Sequence, residues 1–156
     1  MIKINKSANA DSRTATHKVS EAELLKNSEQ HITDVKAALA WFRDYLLMVG
    51  MKHDWTKVRY IKEFYQDFAD SQEGFQGDFK QQHWFKDLHL KERHHLNDRC
   101  PDDVNLFDVL ERVADITMAG LARSGQIYDA EIDPDILLRA YKNTIKLLSD
   151  NVQVVK

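Results

Sequence analysis

Only five glycines and two prolines punctuate the 156 residues of this chain. Turn-making residues that scarce favour helices over a many-stranded sheet. The apolar spacing agrees. Ser20-Glu21-Ala22-Glu23 has the capping-box pattern of a helix start. Leu24, Leu25, Ile32, Val35, Leu39, Phe42 and Leu46 then recur at helical intervals as far as Gly50, as one helix or two in succession. A second helix is predicted from Thr56 to about Asp70 and a loop over 71–78. A third, rich in histidine and aromatic residues, should run from Asp78 to Leu96, before a break at 97–103. Asp103 is the expected N-cap of a fourth helix, about Val104 to Arg123, and Asp133-Pro134 opens a fifth. The pattern predicts an all-α, single-domain compact bundle of about five or six helices over 20–150. A polar N-terminal arm (1–19) and a C-terminal tail (151–156) flank it.

The charge balance is 22 bases against 25 acids, a net −3, which argues against a dedicated nucleic-acid or polybasic membrane binder. The single cysteine, Cys100, makes neither an internal disulfide nor a Cys-rich zinc site. No apolar run approaches the roughly 20 residues of a membrane span, and the first residues lack a signal-peptide apolar segment. A cytoplasmic protein is the expectation.

Seven histidines are the informative feature, because a metal site without a cysteine cluster must use imidazole and carboxylate. His31 falls about 60° from the centre of the first helix's apolar arc, beside Val35 and Phe42, so it is expected to point inward. A core histidine with a satisfied hydrogen bond is its simpler reading. His53-Asp54 can offer nitrogen and oxygen donors to one ion at a helix end, and Asp54 can equally be a plain helix cap. His94 and His95 diverge by about 100° on a helix, so they share a centre only where the helix ends or two ions lie close together. A solvated basic helix terminus is the alternative. On the fourth helix Asp108, Glu111, Arg112 and Asp115 share one side, away from Phe107, Leu110, Ala114 and Leu121. That side is either a solvated face or the lining of a cleft. Trp55, Trp84 and Phe85 are core residues or the walls of a nucleobase pocket.

The order His31, His53-Asp54, His94-His95, Asp115 resembles the HD-domain metal-dependent phosphohydrolase superfamily. The string His53-Asp54-Trp55-Thr56-Lys57 also resembles a small HD-like group with the motif His-Asp-x-Ser/Thr-Lys, followed by paired histidines and an acidic helix. The resemblance covers about Gln30 to Gly125. It implies an HD-domain-like helical fold and one or two divalent ions (Mn, Fe, Co, Ni, Zn or Mg). It further implies hydrolysis of a nucleotide or another small phosphate ester. Position by position it implies His31, His53, Asp54 and Asp115 as core metal ligands, and His94 and His95 as ligands of a second ion.

Around that centre Asp54 and Lys57 are candidate catalytic residues. Lys57, Arg93 and Arg112 are candidate phosphate contacts, and Glu111 is a residue that orients ligand or solvent from behind. The segment after His94-His95 lacks the Gly-rich signature of the cyclic-dinucleotide phosphodiesterases. The expected partner is a small phosphorylated substrate, with neither nucleic acid nor membrane, and the aromatic third helix leaves room for a homo-oligomer face. The alternative is an HD-like helical binding or regulatory protein without turnover.

Overall fold

A computed structural model of the chain describes residues 1–7, 9, 13–72, 78–97, 99–128 and 130–155. Five α-helices carry it: α1 (Glu21–Gly50), α2 (Trp55–Arg59), α3 (Ile61–Gln72), α4 (Leu106–Ser124) and α5 (Pro134–Asp150). Two short strands, β1 (Ile2–Asn5) and β2 (Val152–Val155), are the only strands among the described residues. The class is the helical one that the sequence predicts. The chain groups into two compact units, Met1–Leu46 with Ile145–Lys156, and Leu47–Thr144. Among the described residues no helix is long and apolar enough to cross a membrane.

In the first unit, β1 and β2 pair in parallel from Ile2 opposite Val152 to Asn5 opposite Val155. The N-terminal arm thus begins as a strand, and the period-two alternation of Ile2-Lys3-Ile4-Asn5 is its sequence signal. Asn27 on α1 holds the segment that follows: it accepts a hydrogen bond from the Ser7 hydroxyl (3.1 Å) and donates to the Asn9 carbonyl (2.8 Å). Ser20 caps α1 as expected, its Oγ accepting the Glu23 N–H at 3.3 Å. His31 does not point inward. It is exposed on α1, as are Leu24, Ile32, Val35 and Leu39 of the same apolar arc.

In the second unit, the predicted second helix is two. Its backbone leaves helical geometry at Tyr60 (φ −113°, ψ 40°). The break separates α2, anchored through Thr56, from α3, which stacks Phe64 on Trp84 with ring centroids 4.1 Å apart. Asp67 of α3 accepts the Trp84 N–H at 2.6 Å. Of the expected loop over 71–78, residues 73–77 lie outside the described residues, as does Asp98 of the break after His95.

The predicted third helix is the main departure. Asp78–Leu96 is a chain of single turns: 3₁₀ over Phe79–Gln81, π over Trp84–Leu88, then 3₁₀ over His89–Lys91 and over Arg93–His95. Gln82 and Glu92 are extended between them, and Leu96 ends the run in the left-handed region (φ 49°). The physical reason is convergence. On one regular helix, at about 100° per residue, His94 would point away from the side shared by His89, Glu92 and His95. The broken path brings His94 in beside His89 and Glu92. Trp84 is buried, stacked between Phe64 and the His89 ring, and Phe79 packs against Trp84 (5.9 Å) and Phe85 (5.6 Å). This is the core reading for Trp84, with Phe85 half-buried beside it, whereas Trp55 at the start of α2 is exposed.

Asn105, not Asp103, caps α4. Its side chain accepts the Phe107 N–H at 2.9 Å, and Asp108 reaches back to the Asn105 N–H at 2.8 Å. Asp103 accepts from Arg93 instead, at 2.9 Å. Asp133 caps α5 as its sequence predicts, accepting the Asp135 N–H at 2.8 Å.

Candidate metal centre

The last turn of α1 is followed by His53 and Asp54, and the first surprise is Asp54. Its backbone is left-handed (φ 53°, ψ 27°), and its side chain makes no capping hydrogen bond to α2. The simple capping reading therefore fails. Left-handed geometry costs a non-glycine residue on the order of 1 kcal/mol, and such strain collects at functional sites. What that conformation achieves is to aim the carboxylate at the histidines.

Three elements supply the surrounding donors. His53 Nδ1 lies 2.8 Å from Glu111 Oε1 of α4, and its Nε2 lies 3.4 Å from Asp54 Oδ2 and 3.8 Å from Asp115 Oδ1. His94 Nδ1 lies 3.1 Å from Glu111 Oε1 and 3.7 Å from Glu92 Oε2, and its Nε2 lies 3.9 Å from Asp54 Oδ1. His89 Nε2 lies 3.9 Å from the same Asp54 Oδ1. Thr56 joins the set from α2, its N–H reaching Glu92 Oε1 at 3.0 Å and its hydroxyl contacting both Glu92 Oε1 and His89 Nδ1. His89, Glu92 and His94 are buried, whereas His53, Asp54, Glu111 and Asp115 are partly open to solvent.

Hydrogen placement follows from these partners. Carboxylates only accept, so in a neutral ring the single proton lies on the nitrogen nearer to a carboxylate oxygen. The Nδ1 atoms of His53 and His94 both face Glu111 and are therefore protonated. The Nε2 atoms, turned toward Asp54, present lone pairs. Asp54 Oδ1 is buried with no hydrogen-bond partner. It is faced by two imidazole nitrogens at 3.9 Å, too far for a hydrogen bond. Donors about 2.0–2.2 Å from a shared ion stand at most about 4 Å apart, so this spacing fits a common cation. Three sets of ligand atoms lie within 4.8 Å of one another among the described residues: His53, His94 and Glu111; His53, Asp54 and Asp115; Asp54, His89 and Glu92.

Charge points the same way. Four carboxylates (Asp54, Glu92, Glu111, Asp115) face two cations. Lys57 Nζ sits on Asp54 Oδ2, and Arg112 Nη1 lies 3.2 Å from Asp115 Oδ2. With the imidazoles neutral the difference, 4 − 2, is two negative charges, the charge of one divalent ion. Burial by itself would lower the His94 pKa, but the Glu111 hydrogen bond and the charges of Glu111, Glu92 and Asp115 outweigh it and raise it. Burial pushes the Glu111 carboxyl up, yet hydrogen bonds from His94 and His53 hold it below the usual range. His95 is driven down to about 3 by burial and then by its neighbours His94, His89 and Arg112, which keeps it neutral.

Burial alone would also raise the Glu92 carboxyl. The adjacent His89 ring and the hydrogen bonds from Thr56 reverse this and bring it from 4.5 to about 2. A depressed folded-state pKa stabilises the fold above the unfolded value, and the gain is lost as pH falls through the folded value. The metal-free protein is therefore expected to lose about 3 kcal/mol of stability from this group between about pH 5 and pH 2. Urea titrations across that range check it: Glu92→Gln should show a shallower acid slope, and a slope parallel to wild type contradicts the assignment.

The residues singled out in the sequence fall into three groups. His53, Asp54, His94 and Asp115 come together, and Glu111 stands between two of the histidines, within hydrogen-bond reach of both Nδ1 atoms. Lys57 and Arg112 border the cluster, each on one of its carboxylates. His31, His95 and Arg93 belong to none of the three ligand sets. His31 is exposed in the first unit. The His95 ring packs 4.4 Å from those of His89 and His94, with its Nε2 buried and unpartnered. Arg93 forks onto both Asp108 oxygens at 2.8 and 2.9 Å and onto Asp103, so its guanidinium is engaged in holding the start of α4.

Sequence reasoning missed His89, Glu92 and Thr56 as part of the cluster. The signal was three polar residues at positions the helical pattern leaves unexplained, and it becomes readable only once the 79–95 path is known to be broken.

Comparison with protein-family models, with curated proteins and with solved structures finds no match.

Proposed function

We propose that the chain is a metal-dependent phosphohydrolase acting on a nucleotide or another small phosphate ester. The observation that carries the reading is Asp54 Oδ1, a buried carboxylate oxygen without a donor, faced by the Nε2 atoms of His89 and His94 at 3.9 Å. In this reading His53, Asp54 and Asp115 hold one position, and Asp54, His89, His94 and Glu92 hold an adjacent one. Mixed imidazole and carboxylate donors suit Mn, Fe, Co, Ni or Zn. A divalent ion bound there supplies Lewis acidity and a water of lowered pKa.

The chain's own residues do the rest. Asp54 orients the attacking water and takes its proton at a carboxylate oxygen. Lys57 and Arg112, each resting on a site carboxylate, are within a side-chain rotation of exchanging that partner for a phosphoryl oxygen. Glu111 holds His53 and His94 by their Nδ1 atoms, fixing the rings.

A screen of nucleoside mono-, di- and triphosphates with added manganese tests the reading. Wild type should release phosphate in a manganese-dependent way. The His53→Ala/Asp54→Ala variant should be slower by at least about a hundredfold with its helical circular dichroism intact. Manganese bound by the wild type without hydrolysis of any ester would overturn hydrolysis in favour of a binding role.

A further inference from the structure

We propose that Thr56 is a positioning residue that sets the tautomer of His89 and so decides which ring nitrogen faces Asp54. This inference deepens the metal-centre reading and rests on it for its purpose, but its geometry stands separately. Thr56 is almost fully buried, and both its N–H and its hydroxyl are directed at Glu92 Oε1. An ionised carboxylate accepts only, so the single hydroxyl proton goes to Glu92. The remaining lone pairs of Thr56 Oγ1 face His89 Nδ1 at 3.0 Å and can only accept. The proton on that ring nitrogen is thereby fixed at Nδ1.

Glu92 Oε1 is 3.6 Å from His89 Nδ1, beyond hydrogen-bond reach. Among the described residues the Thr56 hydroxyl is therefore the partner of that nitrogen. Nε2 is left bare and turned toward Asp54 Oδ1. Trp84 holds the ring plane, stacked on His89 at 4.7 Å with 14° between planes.

The consequence is a division of labour within His53-Asp54-Trp55-Thr56. Asp54 provides the central carboxylate, and two residues later Thr56 orients the imidazole opposite it. Serine preserves the required hydroxyl. Valine preserves the shape and removes it.

Long-range ¹H–¹⁵N correlation of the histidine side chains decides the matter. It is run on the full-length, metal-free chain at about pH 8.5, two units above the ordinary imidazole value of about 6.5. Wild type and Thr56→Ser should show His89 protonated at Nδ1, and Thr56→Val should move the proton to Nε2. Cobalt titration of the same samples should show binding weakened about ten- to a hundredfold in Thr56→Val and preserved in Thr56→Ser.

A wild-type His89 protonated at Nε2 would overturn the proposal, as would a Thr56→Val protein that keeps the Nδ1 proton. Should Thr56→Val fail to fold, the wild-type and Thr56→Ser spectra still decide: Nδ1 protonation in both supports the proposal, and its absence from either overturns it. The expected tautomers with no cobalt bound by any sample would overturn the metal-centre reading and leave the Thr56–His89 assignment standing.

Discussion

Gly120→Ala is expected to lower the stability of the Leu47–Thr144 unit by about 3 kcal/mol. A Cβ at Gly120 would stand 2.4 Å from the Gln126 carbonyl oxygen, 2.7 Å from the Tyr128 nitrogen and 3.2 Å from the Ile127 Cα. All three are backbone atoms, so no rotamer change relieves the overlap. The segment is also pinned. Gly125 adopts the left-handed turn after α4 (φ 71°), and its N–H donates to the Leu121 carbonyl at 3.2 Å. The Ser124 hydroxyl donates to the Gly120 carbonyl at 3.0 Å.

The sign makes the test sharp. Inside a helix, alanine is worth about 1 kcal/mol more than glycine, so without the contact the substitution would stabilise. Gly50 is the control, because a Cβ there meets nothing within 4 Å, and Gly50→Ala should be neutral or stabilising. Urea melts of the two variants check both. A Gly120→Ala protein as stable as wild type would contradict the close approach of residues 126–128 to α4.

That approach was not legible in the sequence, where Gly120 sits unremarked in a helical pattern. Local chemistry was readable wherever it acts over a few residues. Ser20 with Glu23, and Asp133 with Pro134, announce helix starts because the groups that satisfy the first turn are themselves local. His53-Asp54 stood out as a nitrogen–oxygen pair, and the acidic stripe of α4 was visible as a face.

What that face does depends on its neighbours, and amphipathicity gives the opposite impression. Leu110 and Leu121, on the side expected to be buried, are exposed, while Asp108 is buried and Glu111 faces two histidines. The same limit applies to 79–95. Its residues mimic an amphipathic helix in sequence, yet Glu92 is drawn into extended geometry by the hydrogen bonds that Thr56, 36 residues earlier in the chain, makes to its carboxylate. His31 failed for the converse reason. An apolar arc predicts burial only where something packs against it, and α1 has no buried residue.

The second large effect concerns the cluster itself. Removing His53 and Asp54 together takes a donor from each of the three ligand sets. It also strips Lys57 of its carboxylate partner and leaves the Nε2 atoms of His89 and His94 without the oxygen they face. The four carboxylates fall to three while Lys57 and Arg112 remain, so the negative charge available to a cation is halved. Neither residue belongs to the buried core: both are partly solvent-exposed, and Asp54 is strained. The fold should therefore survive.

Metal content after chelation, reloading with manganese and exhaustive dialysis is the direct measurement. The wild-type chain should retain one or two ions per molecule, and His53→Ala/Asp54→Ala should retain none while keeping its helical circular dichroism. Equal manganese in the two proteins, or none in the wild type, would contradict a metal centre built on Asp54.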